Sequence, residues 1–175
     1  EAQPFVRGYV ATRAMWALMD CGLADRLLEQ EAVDVEMFIK ESGVDAHVLT
    51  SVLSYLDGIS LLRYEAGQVW LIDRGRHFLD DTRGLFELTY AYEPLFANLN
   101  DLLARRKAFP TDVTRRIEFV GRGSGMLCRD LPYPVMADII ARHGRKLVLD
   151  LGCGDLAFLL FLAERLPKLR AIGID

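Results

Sequence analysis

The sequence predicts a mainly helical amino-terminal region with one small β-hairpin, followed by the start of an α/β unit. Three observations predict it. Apolar residues recur at helical spacing through most of the first 145 positions, punctuated by acidic cap residues and glycine stops. The period changes to that of strands once, around Glu65-Ala66-Gly67. Finally, Leu147 to Asp175 reads L-V-L-D-L-G-C-G-D-L-A-F-L-L-F-L-A-E-R-L-P-K-L-R-A-I-G-I-D. That is a short apolar run ending in an acid, a glycine turn, a helix-length apolar segment, and a second short run ending in an acid.

The elements follow in order. Residues 5–19 carry Phe5, Val6, Tyr9, Val10, Ala14, Trp16, Ala17 and Leu18 at helical spacing behind Pro4, which suits a first helical turn. Gly22 ends this helix, and Leu23–Glu29 starts another. Asp34 caps Glu36–Glu41, which Gly43 stops, and Asp45 caps Ala46–Leu56, with Gly58 expected as its C′ residue. Leu61–Tyr64 and Gln68–Ile72 form the arms of the hairpin, and Asp73 is expected to cap a helix through Leu79. Three helices, a hairpin and a trailing helix make a winged-helix outline for residues 1–80.

Charge argues against nucleic acid as a partner of that outline. Residues 1–80 carry 13 acidic and 7 basic side chains, and Ala46–Leu56, the helix that would enter a groove, has no Lys or Arg. Phosphate contacts need those cations. Packing or dimerisation is the better reading. The 51% apolar composition supports a sizeable core, no stretch is long enough to span a bilayer, and the start lacks signal-peptide character. Three distant cysteines, Cys21, Cys128 and Cys153, argue for a reducing, cytoplasmic compartment, and the three histidines form no metal motif.

Residues 81–145 read as a helical connector and possible substrate lid. A long apolar helix, 85–106, is expected to break at Pro94. Its aromatics Phe86, Tyr90, Tyr92 and Phe96 suit core packing first and pocket lining second. Arg105-Arg106-Lys107 reads as solvated surface at a helix end. Gly121-Arg122-Gly123-Ser124-Gly125-Met126 is expected to be an irregular loop, either a linker or backbone closing over a ligand. Pro134–His143 forms a helix ended by Gly144.

Residues 146–175 are then the first strand, helix and strand of a nucleotide-binding unit. Gly152-Cys153-Gly154-Asp155-Leu156-Ala157 satisfies G-x-G-x-x-A, with Asp175 near the spacing of a ribose-binding acid. A dinucleotide puts a pyrophosphate at such a turn, and Asp150 and Asp155 would repel it. The same acids suit S-adenosylmethionine, which carries a sulfonium and an ammonium and no phosphate.

Asp150-Leu151-Gly152-Cys153-Gly154, with Asp175 closing the next strand, resembles the first two motifs of class I S-adenosylmethionine-dependent methyltransferases. The acidic, winged, helical region before it is similar to that of small-molecule O-methyltransferases that dimerise through such a domain. The resemblance implies that Gly152, Cys153 and Gly154 bring backbone to the methionine part of the donor. It implies that Asp150 helps hold the amino-acid end and that Asp175 accepts from the ribose hydroxyls. Met126 corresponds to a donor-side methionine of the plant branch, although Asp130 stands where a serine would follow. Leu156 replaces a third glycine, so the following helix is expected to start slightly further from the ligand. Cys153 reads as a small loop residue, since methyl transfer is a direct displacement.

The implied activity is methyl transfer to a small-molecule or carrier-bound biosynthetic substrate, with a homodimer formed through the amino-terminal domain and no membrane partner. General base and acceptor pocket belong to strands three onward in that family, so the catalytic residues are unknown and the 175 residues alone are expected to be inactive. An NAD(P)- or flavin-dependent oxidoreductase and a non-catalytic winged-helix interaction module are the alternatives.

Overall fold

Pro4 sits in the first turn of α1 (Gln3–Asp20), the opening helix of the computed structural model, which describes residues 1–175. The chain divides into two compact units, Glu1–Phe86 and Glu87–Asp175.

In the first unit, α1 buries Ala14, Met15, Trp16 and Leu18 at its carboxyl end. Its amino-terminal half leaves Phe5, Val6, Tyr9 and Val10 exposed. Gly22, at φ 81°, turns the chain into α2 (Leu23–Glu29). A short strand, β1 (Val33–Asp34), precedes α3 (Val35–Ser42) and α4 (Ala46–Gly58). Both expected caps form: Asp34 Oδ1 accepts from Met37 N and Asp45 Oδ1 from Val48 N, each at 2.8 Å. The end of α4 differs from expectation. Gly58 remains helical, and the left-handed residue is Ser60, at φ 58°.

The hairpin consists of β2 (Leu62–Glu65) and β3 (Gln68–Leu71), joined by Ala66 and Gly67 at φ 50° and 78°. Two left-handed residues match the twist of the flanking strands. Val33 and Asp34 pair with Val69 and Gln68, giving an antiparallel sheet in the order β1-β3-β2. The third strand is too short to show a period of two in the sequence. Helix α5 (Asp73–Leu79) has Ile72 at its cap, and Asp73, expected to cap it, is its first helical residue. Leu18, Leu23, Leu27, Phe38, Leu53, Leu56, Leu62, Val69 and Leu79 form a fully buried core. Phe86 meets Phe78 edge-on, and its carbonyl accepts from Trp16 Nε1 at 3.0 Å.

Helix α6 (Arg83–Ala91) leads into the second unit, where the expected long helix is three short pieces. Pro94 opens α7 (Glu93–Ala97), as its missing N–H dictates. A second break precedes α8 (Leu99–Leu103), where Asn98 Nδ2 donates to the Pro94 carbonyl at 2.8 Å. Next come α9 (Ile117–Arg129) and α10 (Pro132–Arg142), then β4 (Leu147–Leu151), α11 (Ala157–Arg165) and β5 (Arg170–Ile174). Strands β4 and β5 are parallel, with Asp150 opposite Gly173. Ala137, Phe158 and Leu162 centre the small core that α10 and α11 form with Val148. The other side of the strand pair exposes Leu147, Leu149, Leu151, Ile172 and Ile174.

The start of α9 is held by arginines. Arg116 donates to the Tyr90 carbonyl at 2.9 Å and to Glu93 at 3.1 Å, and stacks on the Tyr90 ring. Arg115 bonds the Tyr92 hydroxyl at 3.0 Å, and Arg122 pairs with the fully buried Glu87. Tyr90 also packs edge-on against Phe119. Tyr90 and Tyr92 thus serve packing, while Phe96 is exposed.

Gly75 provides a test of the first unit's packing. A Cβ there would lie 1.7 Å from the Leu61 carbonyl oxygen, a backbone atom that cannot rotate away. We expect Gly75→Ala to destabilise the chain by about 1–3 kcal/mol, the usual overpacking range. Urea denaturation showing no loss would contradict this packing.

Candidate donor-binding site

The glycine turn lies between the end of β4 and α11. Gly152 and Gly154 take φ of 79° and 50°, where a Cβ is disfavoured. The amides of Gly152 and Cys153 both donate to the Ile174 carbonyl, at 2.7 and 3.2 Å, so the turn is folded back on β5. One oxygen of Asp175 accepts from Gly154 N at 3.1 Å. Asp155 accepts from Ala157 N at 3.1 Å and so satisfies an orphan donor at the start of α11. Cys153 packs on Gly173, where a Cβ would lie 2.7 Å from its Sγ. Leu156 occupies the third glycine position in a left-handed conformation, φ 66° and ψ 13°. The substitution therefore leaves the backbone in a glycine-like state, with a bulky side chain under strain.

The expected loop 121–126 is a correction. It lies inside α9, and none of Gly121, Gly123 and Gly125 has positive φ. Their small size is used for proximity instead of backbone freedom. A Cβ on Gly125 would stand 2.8 Å from Ala157 Cβ, and one on Gly121 would stand 3.4 Å from Asp155. Glycines four apart share a helix face, and this face lies directly against the glycine turn and the start of α11.

Between them is a cleft of about 440 Å³, within the usual size of a small-molecule site. Its walls include Gly152, Cys153, Gly154, Asp155 and Asp175 from the turn and strand, Gly121, Ser124 and Gly125 from α9, and Tyr133 from α10. Glu118 adds a third carboxylate, and no Lys or Arg lines the cleft. Such a lining attracts a cation and repels a pyrophosphate, so it fits a sulfonium- and ammonium-bearing donor and disfavours the dinucleotide alternative. Asp150 is not part of the wall. It is half-buried on β4, and its charge is felt at Tyr133. Met126 lines a neighbouring depression of about 280 Å³, with Arg129, Leu160 and Phe161. The structure thus brings Gly152, Cys153, Gly154 and Asp175 together and sets Asp150 and Met126 apart from the cleft.

Tyr133 was not among the residues singled out in the sequence. Its ring rests on Phe158, at 4.9 Å between centroids, and on Phe161. Burial pushes its phenol above its ordinary range, and the nearby carboxylates of Asp155 and Asp150 act in the same direction. It is therefore a neutral hydroxyl donor at physiological pH. No spacing rule links a tyrosine on α10 to a turn some twenty residues later.

The two α9 glycines allow a paired test. Gly125→Ala forces two Cβ atoms together and should destabilise by about 1–3 kcal/mol. Gly121→Ala makes only ordinary contact and gains helix propensity, so it should be neutral or stabilising by up to about 1 kcal/mol. Equal effects in urea denaturation would remove the close-approach explanation.

Comparison with known proteins extends this geometry. No protein-family model matches the chain. The chain is 32% identical over 180 residues to a 2-ketoarginine methyltransferase of Streptomyces arginensis, an alignment that covers all of the chain and 51% of that protein. It thus spans about half the length of the curated relative it matches. Among solved structures, CalO1, a methyltransferase in calicheamicin biosynthesis in its SAH-bound form, aligns with a TM-score of 0.53 at 21% identity, over 99% of this chain and 57% of that one. The mitomycin 7-O-methyltransferase MmcR aligns at 0.63 and 14% identity, over 98% and 56%. The chain is thus similar in sequence to part of a methyltransferase, and in fold to part of solved methyltransferases, over about half of their length.

Proposed function

We propose that the protein to which this chain belongs transfers a methyl group from S-adenosylmethionine to a small biosynthetic molecule, and that the cleft at the glycine turn holds the donor. The observation that carries this reading is the lining: Glu118, Asp155 and Asp175 without a single Lys or Arg, around a turn formed by Gly152, Cys153 and Gly154. When bound, the donor supplies an electrophilic methyl group on a sulfonium. The turn brings backbone to its methionine part, Asp175 accepts from its ribose hydroxyls, and Asp150 acts on the amino-acid end from behind the turn. Met126 flanks the site from α9.

The acceptor we propose is a free 2-oxo acid, on the strength of the kinship with a 2-ketoarginine methyltransferase. A carbon beside a ketone becomes nucleophilic on losing a proton, which calls for a general base. Holding that carbon in line with the sulfur–methyl bond supplies much of the rate.

Calorimetry on the full-length protein tests the donor. We expect S-adenosylhomocysteine to bind and NAD not to bind. Asp175→Ala should weaken S-adenosylhomocysteine about tenfold or more, as expected for two lost hydrogen bonds, with thermal stability retained. Binding of NAD alone would overturn the proposal.

We also propose that the first unit dimerises. In support, the first half of α1 exposes Phe5, Val6, Tyr9 and Val10, a contiguous apolar stretch. Light scattering should give twice the chain mass, and a monomer at micromolar concentration would rule the proposal out.

A further inference from the structure

We propose that Tyr133 is a donor-binding residue whose hydroxyl hydrogen-bonds the amino-acid end of the methyl donor. This rests on the reading of the cleft as a donor site. Tyr133 enters the cleft from α10, outside the strand–turn–helix motif that marks the site. Its ring is fixed by Phe158 and Phe161, so the hydroxyl has little freedom. It lies over Gly125, 4.0 Å from where a Cβ on that residue would stand, and faces the start of α11 at Ala157 and Asp155. The lack of a side chain at Gly125 therefore does two things: it lets α9 reach Ala157, and it leaves room beside the hydroxyl.

The ligand class follows from the surroundings. Burial first, and the acidic neighbours second, keep the phenol protonated, so it is a hydrogen-bond donor, and Asp155 lines the same cleft. A zwitterionic amino-acid group suits such a place: its ammonium complements the carboxylates, and its carboxylate accepts from the phenol. The adenosine part carries no charge to complement a carboxylate.

Calorimetry on the full-length protein with two ligands separates the possibilities. S-adenosylhomocysteine carries the amino-acid end, and 5′-methylthioadenosine lacks it. Tyr133→Phe keeps the ring packing on Phe158 and Phe161 and removes only the oxygen. We expect it to weaken S-adenosylhomocysteine about five- to tenfold, the effect of one lost hydrogen bond, and to leave methylthioadenosine within about twofold. Unchanged affinity for S-adenosylhomocysteine would overturn the proposal. Equal weakening of both ligands would overturn it too, since that pattern marks a distorted site. If the wild-type protein binds neither ligand, the donor reading itself fails, an outcome distinct from both.

Discussion

Gly125 and Ala157 come so close that a Cβ on Gly125 would stand 2.8 Å from the Ala157 Cβ, so even alanine there would force the two helices to shift. That approach carries much of the second unit. It sets α9 against the start of α11, brings Gly121 to Asp155, and leaves a cleft between the helix and the glycine turn. The turn is held from the other side by the Ile174 carbonyl, which accepts from two successive amides, and by Asp175, which accepts from a third. A rigid helix on one side and a strand end on the other fix the geometry of a segment that glycine alone would leave loose. Precision in a binding site requires this kind of support from regular elements.

Much of this could be read in the sequence, and what was missed has particular causes. Asp34 and Asp45 act as caps because the signal is local: an acid placed three residues before an orphan amide. The glycine turn and its flanking strands were legible for the same reason. The glycines at 121, 123 and 125 were misread because glycine has two uses, and sequence does not say which applies. Backbone freedom predicts a loop, whereas small size predicts a tightly packed helix. The deciding fact is the identity of the partner, Ala157, more than thirty residues away. Strand β1 was missed because two residues carry no period, and Tyr133 because its contacts with Phe158 and the cleft are wholly tertiary.

Charge is distributed with similar economy. Arg115 and Arg116 sit just before α9 and Arg122 in its middle, and each is occupied, by Tyr92, by Tyr90 and Glu93, and by Glu87 respectively. These three guanidiniums are thus paired, none of them lines the cleft, and the carboxylates keep its lining negative. The pair of Glu87 with Arg122 joins a buried carboxylate to a half-exposed guanidinium, so the cost of desolvating Glu87 offsets much of the attraction. The pair supplies the buried Glu87 with a cationic partner, and Arg122 is not among the residues that line the cleft.

Leu156 bears on the thermodynamics of ligand capture. A third glycine at this point would let the turn sample many conformations before binding, and each would have to be surrendered on binding. Leucine has few alternatives available and is already held in the left-handed state, with its side chain against Gly173. The strain is met once, when the chain folds, and the turn then meets its ligand with little left to order. Preorganisation of this kind shifts the entropic penalty from binding to folding, so a leucine in the third position of a glycine motif leaves the turn of the proposed donor site with less to order.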